Sequence, residues 1–180
     1  MRHASLSRAI ATAGLLTSLF LGSSLISDAS AATAGHALTV SVDDFRYIDT
    51  SNEPTDQMAV HQERLRGFMT ALRDDVTADR RFELTPSSCA SSCPTEGPAL
   101  GDRLRAASQA GTQILIIGIV QKISTLVQNV LTVAVDTTSQ RVVFKKFFTF
   151  RGDDDEAWQR AERFVSAEVR ERLLESRSQQ

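Results

Sequence analysis

The sequence is poor in the side chains that most enzymes use for catalysis. It has three histidines and two cysteines, and His3 lies in a segment that we expect to be removed. No segment contains a glycine-rich phosphate loop, a nucleophile elbow or the spacing of a zinc site. We therefore expect no catalytic residues, no cofactor and no metal site. His61 falls at helical spacing with Met58 and Leu65 and is interpreted as an ordinary helix residue at the edge of the core.

The sequence also has little net charge. Its 20 Lys and Arg residues nearly balance its 22 Asp and Glu residues, which gives a formal charge of −2 at pH 7. Such a balance supplies no electrostatic attraction for nucleic acid or for an anionic membrane.

The amino terminus has the pattern of a secretory signal. Arg2 and Arg8 precede a mostly apolar run from Ala9 to Ile26, and small residues follow, so we predict cleavage after Ala31. The alternative is an uncleaved membrane anchor, which the many Thr, Gly and Ser residues in the run disfavour. No cysteine directly follows the run, so this segment has no acceptor for an amino-terminal lipid. We predict residues 1–31 as signal peptide and residues 32–180 as one soluble domain, periplasmic or secreted, with no stable membrane span.

Both cysteines lie in one polar, proline-containing segment. Cys89 and Cys93 are separated by three residues, and export would place them in an oxidising compartment, where we expect one disulfide. A redox-active or metal-binding thiol pair is the alternative, but redox pairs are usually separated by two residues, and no histidine lies nearby.

The rest of the chain predicts an α/β (α+β) domain. Alternating or continuous apolar residues predict five strands, and apolar residues at helical spacing predict three helices. The predicted order is β-α-β-α-β-β-β-α, with the helices packed on a single mixed sheet. The strands are 38–45, 81–85, 113–121, 127–136 and 141–151, and the helices are about 55–76, 100–110 and 153–175. The segment 46–54 is polar and turn-rich, and we predict no strand there. Trp158 is expected to anchor the last helix on the sheet.

Four acidic residues, Asp153 to Glu156, open the last helix. They could hold a metal ion, but carboxylates at this position are favoured by the helix macrodipole, and Asp153 with Glu156 has the spacing of a capping box. We expect Arg151 to pair with one of the acidic residues near the helix start.

A polar cluster follows the most apolar strand. Gln121, Lys122, Ser124 and Asn129 lie at its end, where side chains of α/β sheets often line a ligand crevice. Together with Arg151 and Asp155 they form the candidate ligand-binding set. The alternative is that Lys122 pairs with a nearby carboxylate and the amides bind loop backbone.

Several of these residues carry a family resemblance. The stretch Gly118 to Leu126, the segment Arg151–Gly152 and the stretch Asp155 to Arg160 resemble the motifs of a family of exported proteobacterial proteins catalogued as a domain of unknown function. Further likenesses are Phe45, Asp49–Ser51 and the two cysteines. Thr125, Asp153, Asp154 and Gln159 depart from the family pattern. More distantly, the order of elements is similar to the amino-terminal domain of TolB and to CsgG-like envelope domains. The resemblance implies export and a shared fold, and it implies no activity.

Three functions remain open. The scarcity of catalytic side chains favours a non-catalytic interaction module whose partner is another envelope or periplasmic protein. A small-molecule or metal-ion binder would use the polar cluster or the acidic turn. An enzyme that uses carboxylates alone is the least favoured.

Overall fold

A computed structural model describes residues 36–87 and 99–178 of the chain. The predicted signal peptide, its cleavage point after Ala31 and the predicted Cys89–Cys93 disulfide lie outside these residues. Among the described helices, none combines the length and apolar character needed to cross a membrane.

One mixed sheet with helices packed on it forms the domain, so the predicted fold class is confirmed. The sheet order is β3-β1-β4-β5-β6, and β2 pairs with β4 beyond the end of β1. The strand pairs β1–β3, β1–β4 and β2–β4 are parallel, whereas β4–β5 and β5–β6 are antiparallel. The elements are β1 (Leu38–Val42), β2 (Arg46–Asp49), α1 (Met58–Thr77), β3 (Phe82–Leu84), α2 (Leu100–Gln109), β4 (Ile114–Ser124), β5 (Val127–Asp136), β6 (Val142–Arg151) and α3 (Asp155–Ser178).

The short strand β2 was not expected from the sequence. Its four residues are mostly polar, but Arg46 and Asp49 pair in parallel with Ile119 and Lys122 of β4. Because β4 is 11 residues long, it accommodates β1 along its first half and β2 along its second half. The pairing partner, rather than the local sequence, makes this segment a strand.

The main core lies between the sheet and the helices α1 and α3. Leu65, Phe68, Leu72 and Val76 recur on one face of α1, and they pack in one cluster with apolar residues of α3 and the strands. This spacing is what an amphipathic helix needs to cover a sheet.

Gly118 marks a close approach between strands and loop in this core. It lies on the helix-covered face of β4, between Ile116 and Val120, and a Cβ atom there would collide with the ring of Phe45 and the carbonyl oxygen of Leu131. Only glycine leaves room for the Phe45 ring, which is 3% exposed.

Among the described elements, only α2 packs on the opposite face of the sheet, at one end. There α2 packs Leu104 and Ala107 on Leu115 and Val135. Beyond that contact, no described helix lies over the rest of this face. We call the uncovered residues of β2, β4, β5 and β6 the open face; they are Arg46, Ile48, Ile117, Ile119, Gln121, Ser124, Val127, Asn129, Leu131, Val133, Lys145, Phe147, Thr149 and Arg151.

Trp158 is 2% exposed and packs against Phe68 and Phe150. We expect Trp158→Ala to lower the free energy of unfolding by about 3–5 kcal/mol, the usual loss for a buried aromatic side chain. Denaturant titration measures this loss. The matched control is Phe164→Ala on the same helix, where the ring is 55% exposed and a smaller loss, about 1 kcal/mol, is expected. Equal losses for the two variants would contradict the anchoring role of Trp158.

Candidate functional site

Lys122 lies on the helix-covered face of β4, and its side chain is completely buried. Its ammonium group donates hydrogen bonds to Glu53 Oε2 at 2.8 Å, Asp153 Oδ2 at 2.9 Å and Gln57 Oε1 at 3.2 Å. An ammonium group has three protons to donate, so the protein supplies a partner for each one. Of the two arrangements left open by the sequence, the structure has the one in which Lys122 pairs with carboxylates.

Asp153 joins Lys122 to helix α1. Its Oδ1 lies 2.7 Å from Nε2 of His61 and accepts hydrogen bonds from Arg64 at 2.9 Å and Gln128 at 3.0 Å. The other ring nitrogen of His61 lies 2.9 Å from the carbonyl oxygen of Gln57. We call Glu53, Gln57, His61, Arg64, Lys122, Gln128 and Asp153 the polar network.

The electrostatics of the polar network favour the charged forms of its main ion pair. Burial raises the pKa of Asp153, but hydrogen bonds from Lys122 and His61 outweigh burial and hold the pKa below its usual value. Burial lowers the pKa of Lys122, and hydrogen bonds to Glu53 and Asp153 more than offset it, so that pKa is raised. The hydrogen bond from Lys122 also lowers the pKa of Glu53. The lysine and both carboxylates are therefore ionised at neutral pH.

An aromatic layer lies beneath the network. The ring of Tyr47 stacks on His61 with centroids 5.1 Å apart, and Trp158 packs against both rings at 6.2 Å. Burial, with the nearby carboxylates of Asp49 and Asp153, raises the pKa of Tyr47, so the phenol stays neutral. The layer shields the ion pairs from water on this side, which strengthens them.

The acidic turn before α3 divides its carboxylates among separate tasks. Asp154, not Asp153, caps the helix, because its Oδ1 accepts the backbone N–H of Ala157 at 2.7 Å. The predicted capping box of Asp153 with Glu156 is therefore wrong, since Asp153 belongs to the polar network. Asp155 pairs with Arg64 at 2.8 Å. No group of three or more His, Cys, Asp or Glu side chains suited to a metal ion occurs among the described residues.

The turn depends on Gly152. Its φ is +108°, a conformation that favours glycine, and a Cβ atom would lie 2.7 Å from that of Ala157. Its carbonyl oxygen accepts a hydrogen bond from Gln128 at 3.3 Å. This local conformation directs Asp153 inward to Lys122.

The six candidate ligand-binding residues separate into two groups. Lys122 is in the polar network, and Asp155 is at its edge. Gln121, Ser124, Asn129 and Arg151 instead lie on the open face, since strand residues alternate between the two sides of a sheet. Asn129 accepts a hydrogen bond from Thr149 at 2.9 Å, and Gln121 donates one to Thr50 at 3.2 Å. The predicted ligand cluster is therefore not one site.

The ion pair expected for Arg151 is not formed. Arg151 is exposed on the open face, and among the described residues it has no carboxylate partner within 4.0 Å. Of the acidic residues near the helix start, Asp153 is directed to the opposite side of the sheet, and Asp154 caps α3.

A second buried ion pair lies at the carboxyl end of β1. Asp43 is completely buried. Its Oδ2 accepts two hydrogen bonds from Arg103 of α2, and its Oδ1 accepts one from Ser87. This pair holds α2 over the end of the sheet. Sequence reasoning missed it, although Asp43 directly follows the alternating residues of β1.

A groove of about 200 Å³ runs between α1 and α3. Trp158 and Glu162 contribute to its wall, and Glu162 is 3% exposed. Burial, reinforced by the carboxylate of Asp75, raises the pKa of Glu162 from 4.5 to about 7. The charge of Glu162 therefore changes near neutral pH.

Residues 38–169 match a family described as DUF3280, "Protein of unknown function (DUF2380)". The match covers well over half of the chain. The chain belongs to this family. The polar network and the open face both lie within the matched residues. A search of the curated proteins gave no match.

Several solved structures are similar to this chain. The hypothetical protein CT253 from Chlamydia trachomatis has a TM-score of 0.53 and 10% identity, over 76% of this chain and 98% of that one. TolB from Acinetobacter baumannii has a TM-score of 0.48 and 14% identity, and this chain spans only 28% of its length against 76% of its own. Lipoprotein GNA1162 from Neisseria meningitidis has a TM-score of 0.46 and 10% identity, over 74% of this chain and 94% of that one. At these identities the likeness to CT253 shows a shared fold alone.

Removal of the Lys122 charge leaves Glu53 and Asp153 without their main partner. We expect Lys122→Met to lower the free energy of unfolding by about 3–5 kcal/mol, as for other broken buried ion pairs. Denaturant titration at pH 7 is the measurement, and Lys145→Met on the open face is the control, with a change within about 0.5 kcal/mol. A loss below about 1 kcal/mol for Lys122→Met would show that the network does not stabilise the fold.

Glu162→Gln tests the raised pKa on α3. A carboxyl whose folded pKa lies above its unfolded value stabilises the fold at low pH, and this contribution is lost as pH rises from about 4.5 through about 7. The glutamine does not titrate, so the variant should gain stability relative to the wild type across that interval, by about 3 kcal/mol. Thermal or denaturant unfolding between pH 4 and pH 8 measures the difference. Glu171→Gln, at an exposed carboxyl on the same helix, should show no such trend, and a flat difference for Glu162→Gln would refute the shift.

Proposed function

We propose that the protein is a non-catalytic interaction module of the bacterial cell envelope, exported by its amino-terminal signal, and that it binds a partner protein through the open face. The single observation that carries this proposal is an apolar sheet face that no described helix covers. The signal pattern of residues 1–31 and the family resemblance support the location.

The open face has the chemistry of a protein-binding surface. In the register of the sheet, Ile119, Leu131 and Phe147 lie side by side on β4, β5 and β6, and Ile117 and Val133 continue the apolar area toward α2. Phe147 is 59% exposed, and the four aliphatic side chains are half-buried. Contiguous apolar area on a soluble domain is typical of an interaction site.

The polar network supports the same conclusion from the other side of the sheet. Its lysine and histidine are 0% exposed, and its charges are compensated within the protein. Such a network is suited to holding segments of the fold together, not to exchanging protons or ligands with solvent. The open face, in contrast, is accessible to a partner.

Site-specific photocrosslinking tests the proposal in cells that express the full-length sequence. A benzophenone amino acid at Thr149, on the open face, should give a discrete adduct with another protein in the periplasmic fraction. Phe147→Glu in the same chain should abolish the adduct, because it places a charge in the middle of the apolar area. The matched control is the same probe at Phe164, which is also exposed but lies on α3.

Two results would contradict the proposal. One is an adduct from position 164 with none from position 149. The other is an adduct from position 149 that persists in a folded Phe147→Glu chain. An adduct found only in the cytoplasm would contradict the export part.

A further inference from the structure

The charges on the open face are all of one sign. Its charged residues are Arg46 on β2 and Lys145 and Arg151 on β6. All three are exposed, and none forms an ion pair within 4.0 Å in the described part of the chain. The carboxylates nearest in sequence lie elsewhere: Asp44 pairs with Arg73 of α1, and Asp153 is in the polar network. The apolar area is thus flanked by cations on two opposite sides.

The spacing of these cations fits a helix. Arg46 pairs in register with Ile119, and Lys145 is two strands away from β4, on β6. Three interstrand spacings separate β2 from β6, which is roughly 14 Å. A helix with its side chains is about 10–12 Å across. A helix laid on Ile119 and Leu131 would therefore have one cation along each flank.

The fold itself shows how a helix binds this face. At its other end, α2 packs Leu104 and Ala107 on Leu115 and Val135 of β4 and β5. Ile117 and Val133 are partly buried against this cluster and continue into the open face. A second helix placed beside α2 would extend an existing helix–sheet contact.

We propose, on the basis of the proposed function, that the occupant of the open face is an amphipathic helix of a partner protein with acidic residues on both flanks of its apolar stripe. The stripe packs on Ile119, Leu131 and Phe147. The flanking carboxylates pair with Arg46 on one side and with Lys145 and Arg151 on the other. Complementary charge selects the partner and orients it, and the apolar contact supplies most of the affinity.

The chain's own remaining segments do not have this chemistry. The apolar run from Ala9 to Ile26 contains no carboxylate. The segment 88–98 has one carboxylate, Glu96, and no Leu, Ile, Val, Met or aromatic residue. Neither segment can supply both an apolar stripe and two acidic flanks.

A pair of synthetic peptides tests the proposal with the full-length protein. Each peptide is an amphipathic helix of roughly 18 residues, five turns, with the same leucine stripe. One carries Glu on both flanks, and its twin carries Lys. We expect the Glu-flanked peptide to bind more tightly by about tenfold in low salt, and we expect added salt to reduce this preference, since exposed charges are screened. Fluorescence anisotropy measures both affinities.

Variants of the open face make the test specific. Arg46→Glu combined with Lys145→Glu should reverse the preference toward the Lys-flanked twin, and Phe147→Glu should weaken both peptides. Circular dichroism checks that each variant is folded. As a matched control, Arg66→Glu combined with Arg160→Glu on the exposed surfaces of α1 and α3 should leave the preference unchanged.

The outcomes separate this inference from the proposed function. Equal binding of both peptides, abolished by Phe147→Glu, would overturn the acidic helix and leave the open face as a docking surface. No binding of either peptide would overturn the acidic helix, and the adduct from position 149 would then decide the proposed function separately. Two further results would overturn the acidic helix. One is binding to phosphatidylglycerol vesicles but not to the Glu-flanked peptide, and the other is self-association that Phe147→Glu abolishes.

Discussion

The arrangement of segments around the end of β4 depends on one buried ion pair, Lys122 with Asp153. A lysine with no exposed surface can remain charged only if the protein replaces its lost hydration, and three oxygen acceptors from three separate segments do so. Meeting this requirement fixes the loop after β2, the start of α1 and the turn before α3 around the end of β4. The hydrogen bonds of His61, Arg64 and Gln128 to Asp153 then bring β5 and the first turns of α1 into the same arrangement.

The two faces of the sheet differ in what covers them and in which residues they contain. One face is closed by α1 and α3 and contains the aromatic layer of Tyr47 and Trp158 together with the buried charges. Within the described residues, the other face has α2 at one end and, over the rest, exposed or half-buried residues that include the apolar area of Ile119, Leu131 and Phe147. Glycines occur where the closed face is tightest, at Gly118 beneath Phe45 and at the turn of Gly152. We interpret the closed face as structural support and the open face as the functional surface.

Much of this fold can be read from the sequence. Alternation in β1 and the continuous apolar run of β4 identify strands, and helical periodicity identifies α1 and α3, because each pattern reflects burial on one or both sides. The strand β2 has no such pattern, since pairing with β4 alone makes it a strand.

The roles of His61 and Asp153 were missed because their partners are distant in sequence. The contact of His61 with Asp153 spans 92 positions, and no local spacing encodes it. Lys122 was identified as part of a polar site from its position at the end of a central strand, but its burial depends on the tertiary structure.

We propose that the polar network supports the fold while the open face performs the function. The most direct test replaces the network charges together, as Glu53→Gln, Lys122→Met and Asp153→Asn in one chain, so that no buried charge of this trio is left unpaired. The measurement is the yield of the photocrosslinked adduct from Thr149 at a temperature where circular dichroism shows the variant folded. We expect the triple variant to give the same adduct yield as the unaltered chain. A folded triple variant that forms no adduct would contradict this proposal, because the network would then take part in binding the partner.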